Sequence, residues 1–191
     1  MEYDIMIYDI SQEIFTGVCY SGDIRPEYTR VRSFSNGDDS NATEFRMNAH
    51  NATHIDAPYH RFDDGKTVDK LSLDACFGEC EVISYENKER IANTDSKRIL
   101  FSNCECIDEE TAKLLAEKGV VFVGGEGLSI GNCEVHNILL GADIVVLEGA
   151  RLSAVPEGKY LLSAAPINLG GSDGAPCRAL LIFFFHAKFI N

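Results

Sequence analysis

The chain contains no tryptophan, so no indole is available to stack on a substrate. It is short of cations: 17 Lys and Arg stand against 30 Asp and Glu, a formal net charge of −13. So acidic a chain is a poor match for nucleic acid or an anionic membrane, and the expected partner is a small molecule. It lacks a long apolar run. The longest, Ala179–Phe185, is far shorter than the roughly 20 residues that span a bilayer. The start, Met1-Glu2-Tyr3-Asp4, has no positive segment of the kind that opens a signal peptide. Seven cysteines, an odd number without a secretory signal, read as reduced thiols, and the expected location is cytoplasmic. Cys76-x3-Cys80 and Cys104-Glu-Cys106 lack the two-residue gap and matching second pair of a thiolate metal site. No repeat, low-complexity tract or linker interrupts the 191 residues, so residues 1–191 are expected to form one domain.

Histidine is also scarce, and its placement is informative. The chain has five, and three lie within His50-Asn-Ala-Thr-His-Ile-Asp-Ala-Pro-Tyr-His60. With Asp56 they occupy positions 50, 54, 56 and 60. In an extended chain side chains alternate with period two, so all four would share a face. A helix accounts for them less well, because Asp56 leaves the face of His50 and His54 and Pro58 ends the helix before His60. Imidazole and carboxylate are ligands of Zn²⁺ and Mn²⁺. The cluster is therefore read as a metal site rather than as unrelated polar residues on a solvated strand.

The rest of the chain alternates strand and helix signals. Strands are expected at Ile5–Tyr8, Thr29–Phe34, Thr43–Asn48, Cys80–Tyr85, Arg98–Phe101, Val120–Val123, Ile144–Leu147, Tyr160–Ala165, Ile167–Leu169 and Ala179–Phe185. Asn36-Gly37 is a hairpin signal, and Glu86–Lys97 reads as a charged surface connection. Asp108–Lys118 is the clearest helix, with Asp108 as cap and Gly119 as stop. Asn132–Leu140 is a shorter helix, capped by Asn132 and ended by Gly141. Gly124-Gly-Glu-Gly127 lacks the residues of a phosphate loop and reads as a strand-ending turn. Ser172-Asp-Gly174 and Pro176 read as another turn. Helix followed at once by strand points to α/β packing, with a mixed sheet core and flanking helices. His136 on the second helix and Glu148 at the exit of the next strand lie where α/β sites collect, though spacing alone leaves them open.

The His50–His60 stretch resembles the hallmark His-x-Gly-Thr-His-x-Asp-x-Pro-x-His of the cyclase-like metal-dependent hydrolases, the family that includes bacterial kynurenine formamidase and isatin hydrolase. The one departure is Ala52 in place of glycine, which would carry strain if the position needs a positive φ. Glu126-Gly-Leu-Ser, Glu134-Val-His136 and Val146-Leu-Glu148-Gly are similar to that family's second ligand region. Leu152–Tyr160 and Gly171–Pro176 are similar to its closing segments. The resemblance implies a swivelling β/β/α fold. It implies that His50, His54 and Asp56 bind one metal and that Asp56 bridges to a second held by His136 and Glu148. His60 would transfer protons. The cofactor would be a divalent metal, Zn²⁺ first and Mn²⁺ second, one or two ions per chain. A homo-oligomer, dimer or tetramer, is also implied.

The expected reaction is hydrolysis of an amide-type C–N bond by metal-activated water, with imidazole, whose ordinary pKa of about 6.5 suits the task, as proton shuttle. Phe34, Phe45, Tyr59 and Phe62 are candidate aromatic contacts for a substrate. Two alternatives stand beside this reading: a non-catalytic metal-binding or regulatory protein on the same fold, and a hydrolase of a different cyclic amide or lactone. His186 follows the final apolar run and reads as a strand-end residue.

Overall fold

A computed structural model describes residues 3–186. In chain order its elements are β1 (Tyr3–Asp9), β2 (Glu27–Arg32), β3 (Ala42–Arg46), β4 (His54–Asp56), α1 (Leu73–Cys76), β5 (Phe77–Ser84) and β6 (Arg98–Ser102). There follow α2 (Glu109–Glu117), β7 (Phe122–Gly125), α3 (Cys133–Gly141), β8 (Val145–Glu148), β9 (Gly158–Ser163), β10 (Gly174–Pro176) and β11 (Leu180–His186). Nine strands form one mixed sheet in the order β1-β11-β9-β5-β6-β7-β8-β4-β10, and β2 and β3 pair separately as a hairpin. The pairs β5/β6, β6/β7 and β7/β8 are parallel, and the other pairs of the large sheet are antiparallel. The expected mixed sheet with flanking helices is therefore present.

The central residues of the four parallel strands are largely apolar because both faces of the sheet are covered there. Val82, Leu100, Phe122, Val145 and Leu147 point into one core, joined by Ile55, Leu162 and Leu181. Their neighbours Ile83, Ile99, Phe101, Val123 and Val146 point into the other, where Ala112 and Leu115 of α2 and Val135, Leu139 and Leu140 of α3 close over them. Alternation at period two thus feeds two cores from the same short runs.

The two longer helices, α2 and α3, start on side-chain caps. Asp108 accepts from Thr111 N and Asn132 accepts from Val135 N. Gly119 takes φ +62° just past α2, as a helix stop requires. α3 runs one residue further than expected, with Gly141 as its last residue and Ala142 as its cap.

Three expectations are corrected. Glu86–Lys97 is not a plain connection, since Tyr85–Asn93 forms 3-10 helix, kinked at Asn87. Ile167–Leu169 is not a strand; only Pro166 forms an isolated bridge, to Cys177. The reverse holds for Gly174–Pro176, taken for part of a turn, which is strand β10 against β4. It tolerates Pro176 because it is the edge strand. β11 ends at His186, whose side chain lies outside the described residues. All seven cysteines are free, and burial pushes the Cys80 thiol up to about 12 and Cys76 to about 11. No helix among the described residues is long and apolar enough to cross a membrane.

The sheet's far end converges on the His50–His60 segment. β4 lies antiparallel to β8 with His54 opposite Glu148. Just past β8, Gly149 takes φ +67°, and a Cβ there would sit 2.5 Å from the Ala52 carbonyl oxygen. Thr53 closes the junction: its hydroxyl donates to Gly149 O at 2.7 Å and accepts from Gln12 N at 2.8 Å. Gly149→Ala should therefore combine left-handed strain with a backbone clash. We expect a loss of roughly 2 kcal/mol or more, a fall in Tm of about 4–8 °C for a chain of this size, read by calorimetry.

Candidate metal centre

The four clustered residues of the sequence do meet, but not as one extended strand. Only His54–Asp56 is strand. His50 sits in a turn in which its own N–H donates to Asn48 Oδ1 at 2.9 Å, and Pro58–His60 is a 3-10 turn. Period two explains why His54 and Asp56 share a face, and the two flanking turns fold His50 and His60 back onto it. The His50 ring centroid lies 5.0 Å from that of His54 and 4.4 Å from that of His60.

The turn before β4 depends on Ala52, which is buried at φ +57°. This is the strained position that the departure from glycine raised. The conformation directs Ala52 O to His54 Nδ1 at 3.0 Å. A carbonyl only accepts, so Nδ1 carries the proton and Nε2 is left with a free lone pair. His136 is set the same way: Nδ1 donates to Asn132 O at 3.0 Å, which turns Nε2 toward Glu148 Oε1. Two backbone carbonyls thus fix two imidazoles in the tautomer that a metal requires.

Asp56 lies between these nitrogens. Its Oδ1 is 2.8 Å from His50 Nδ1 and 3.4 Å from His54 Nε2, while Oδ2 is 3.6 Å from His136 Nε2. Glu148 brackets the other side, with Oε1 2.9 Å from His136 Nε2 and Oε2 3.3 Å from His54 Nε2. Glu148 Oε1 also accepts from Ile130 N at 2.7 Å, which ties it to the loop before α3. Two of these inward-facing atoms, His54 Nε2 and Asp56 Oδ2, are buried without a hydrogen-bond partner. An unpartnered imidazole nitrogen beside an unpartnered carboxylate oxygen calls for a shared cation, which protons on the imidazoles or a metal ion can supply. Three groups of three ligand atoms lie close enough to hold one: His50/His60/Asp173, His50/His54/Asp56 and Asp56/His136/Glu148, and the last two share Asp56. Among the described residues no cysteine joins such a group.

The protonation equilibria follow from this crowding. Burial disfavours charge on His54 and on His136. The carboxylates of Asp56 and Glu148 outweigh it and raise both imidazoles to about 10. His50 is raised too, as Asp56 and then Asp173 overcome its burial. Burial pushes the Asp56 carboxyl up, but the surrounding histidines hold it well below the usual range. Glu148 is lowered by His136 and His54 against burial and against repulsion from Asp56.

His60 takes its place through a residue the sequence did not reveal. Asp173 Oδ2 accepts from His60 Nδ1 at 3.2 Å and lies 2.8 Å from His50 Nε2. Asp173 precedes β10, and its carbonyl accepts from Ala57 N at 2.9 Å, so β10 pairing against β4 sets it beside the histidines. Its segment carried a turn signature, and an isolated carboxylate more than a hundred residues from the cluster has no spacing signal. The only available hint was an acid immediately before a short buried apolar segment. The site opens into a cavity of about 590 Å³ whose walls include His50, His60, His136, Glu148, Tyr20 and Arg61. None of the four expected aromatic residues lines it. Phe34, Phe45 and Tyr59 are largely exposed, and Phe62 packs against the helix-covered core beside Gly141. Tyr20 supplies the aromatic ring instead.

The chain matches the cyclase family model, described as "Putative cyclase", over residues 8–105. It is 31% identical to a kynurenine formamidase of Erythrobacter litoralis (strain HTCC2594), over 92% of this chain and 93% of that one. It is similar to a solved potential metal-dependent hydrolase with cyclase activity at TM-score 0.80 and 28% identity, covering 94% of this chain and 98% of that one. Isatin hydrolase A from Labrenzia aggregata, bound to benzyl benzoate, shares the fold at TM-score 0.75 and 18% identity, covering 93% of each chain. The chain belongs to the cyclase family. Family, fold and site together define a metal-dependent hydrolase.

Two outcomes follow. In the metal-free protein the raised His54 and His136 contribute stability that is complete below their unfolded pKa of about 6.5. That stability is lost as pH rises through their folded value of about 10. The Tm of the metal-free protein should therefore fall from pH 6.5 upward. The gain in Tm on adding metal should grow over the same range, because each proton displaced weakens binding about tenfold per pH unit below the imidazole pKa. Calorimetry with and without metal across pH 6–9 reads both trends. The second outcome concerns Ala52→Gly. Relief of roughly 1–2 kcal/mol of left-handed strain is offset by about 0.4–1 kcal/mol of added unfolded-state entropy and a lost buried methyl of about 0.8 kcal/mol. Stability should change by less than about 1 kcal/mol, measured by urea titration.

Proposed function

We propose that this protein hydrolyses an amide-type C–N bond of a small substrate, in a reaction like that of a formamidase. The observation that carries the reading is the pair of three-ligand groups sharing buried Asp56, with His54 Nε2 and Asp56 Oδ2 left without protein partners. In this reading His50, His54 and Asp56 hold one divalent ion, and Asp56, His136 and Glu148 hold a second. A carboxylate suits the shared position because it has two oxygens. The His/carboxylate donor set fits Zn²⁺ and also admits Mn²⁺. When bound, the metal supplies Lewis acidity, polarising the scissile carbonyl and lowering the pKa of water.

The chain's own groups do the rest. Asp173 holds the proton on His60 Nδ1, which leaves Nε2 as the base. His60 lines the cavity, and we assign it the proton transfer. It takes a proton from the attacking water and delivers it to the leaving nitrogen as the C–N bond breaks, giving a carboxylate and an amine. Asp173 also meets His50 Nε2, so one carboxylate orients a proposed ligand and the proposed shuttle together. A protein that only stored or sensed metal would have no need of His60 or of the pocket it faces. Supporting kynurenine formamidase-type substrates is the similarity to enzymes of that name. The cavity wall, with Tyr20 as its aromatic residue, suits an aryl amide better than a long chain.

We further propose a cytoplasmic homo-oligomer, dimer or tetramer. Supporting it are seven free thiols and an apolar outer ribbon in which Ile5, Ile7 and Phe184 are half or more exposed.

Purified protein should carry divalent metal by elemental analysis and turn over in a screen of N-formylkynurenine, isatin, and simple cyclic amides and lactones. His60→Ala should keep its metal and lose about 10²–10⁴-fold in kcat. Asp56→Ala should lose both metal and turnover. Asp173→Asn should retain metal and lower kcat less than His60→Ala does. Loss of metal from His60→Ala as complete as from Asp56→Ala would sink the assignment of roles.

A further inference from the structure

Arg61 follows directly on His60 and shares its cavity. The residue caps the 3-10 turn, with its backbone N–H donating to Pro58 O at 3.0 Å. Its Nε–H donates to Asn137 Oδ1 at 3.1 Å, and Asn137 lies on α3 next to His136. The guanidinium is therefore held against the same helix that presents His136. This single bond uses Nε and leaves the two terminal nitrogens free.

Other arginines, Arg25, Arg30 and Arg151 among them, also have no carboxylate partner among the described residues, but Arg61 is the cation that lines the cavity. Arg90 bridges Glu81 and Glu157, and Arg178 pairs with Asp9. Lys66, Lys88 and Lys159 pair with Asp143, Asp108 and Glu79. Among the described residues no carboxylate lies within ion-pair distance of Arg61, although the carboxylates of Asp23 and Glu148 line the same cavity. A substrate carboxylate entering a cavity lined by Asp23 and Glu148, in a protein of formal net charge −13, needs a fixed cation to meet it. A guanidinium offers two parallel N–H donors that match a carboxylate.

We propose that Arg61 binds a carboxylate carried by the substrate, so that the protein selects aryl amides that bear a carboxylate over the corresponding carboxamides. The proposal rests on the hydrolase reading for its chemistry, and binding measurements test it separately. N-formylkynurenine, a zwitterion at neutral pH, and its α-carboxamide share the aryl formamide and the α-amino group and differ at that carboxylate. Arg61→Met should lower the ratio of kcat/KM for acid over carboxamide by about 10–100-fold, mostly through the KM of the acid. Arg61→Lys should restore part of it. Equal losses on both substrates would mean that Arg61 only braces the 3-10 turn against α3, and would overturn the proposal. Calorimetric titration of the metal-loaded protein with kynurenine and its carboxamide needs no turnover. Weaker binding of kynurenine, but not of the carboxamide, to Arg61→Met supports the proposal even if neither formyl compound is cleaved. Equal binding of kynurenine to wild type and variant, or no binding of either probe to wild type, overturns it.

Discussion

Everything at the site follows from one buried carboxylate. Asp56 is 1% exposed and stands among three imidazoles. Removing a carboxylate from water costs several kcal/mol unless positive charge surrounds it. In the metal-free protein protonated histidines meet that requirement, and a divalent ion would meet it in their place. Protons and metal thus compete for one set of lone pairs.

The scaffold keeps that competition tight. His54 and Asp56 come from one short strand, Glu148 from the strand beside it, and His136 from the helix that leads into that strand. The sheet register sets His54 against Glu148, and the cap of α3 fixes where His136 begins. Asn132 has two duties there: its side chain accepts from Val135 N, and its carbonyl holds His136 Nδ1. Ala52 accepts backbone strain to hold the other imidazole. Strain at such a point is sustained because Thr53 and Gly149 lock the turn from both sides.

How much of this could be read from residues alone depended on range. The His50–His60 grouping was legible because its members are near neighbours of rare type, and the caps of α2 and α3 because capping is local chemistry. The extended reading of the whole segment failed beyond His54–Asp56: the chain bends at Asn48–Ala52 and at Pro58, and the bends do the gathering. Period two reported a common face but not the turns that produce it. Asp173 was hidden since its role exists only once β10 pairs with β4. β10 itself was hidden because glycine and proline mark turns, whereas an edge strand needs fewer donors and admits both. Phe34 and Phe45 misled because aromatic residues near a motif in sequence can ride on a hairpin that faces water.

The edge strand has a bearing on how copies of this chain can meet. β10 is three residues long, includes Pro176, and has Pro166 bridged to Cys177 and Ile167 N bonded to Pro176 O along its outer side. A strand from another molecule finds no continuous ladder there. The opposite edge, β1, is seven residues long and free of proline, with an apolar centre, Ile5-Met6-Ile7, between Asp4 and Asp9. The two edges of the sheet are therefore unlike: among the described residues, the one beside the histidines offers no continuous row of donors and acceptors, and the one farthest along the sheet from them is the longer, proline-free strand.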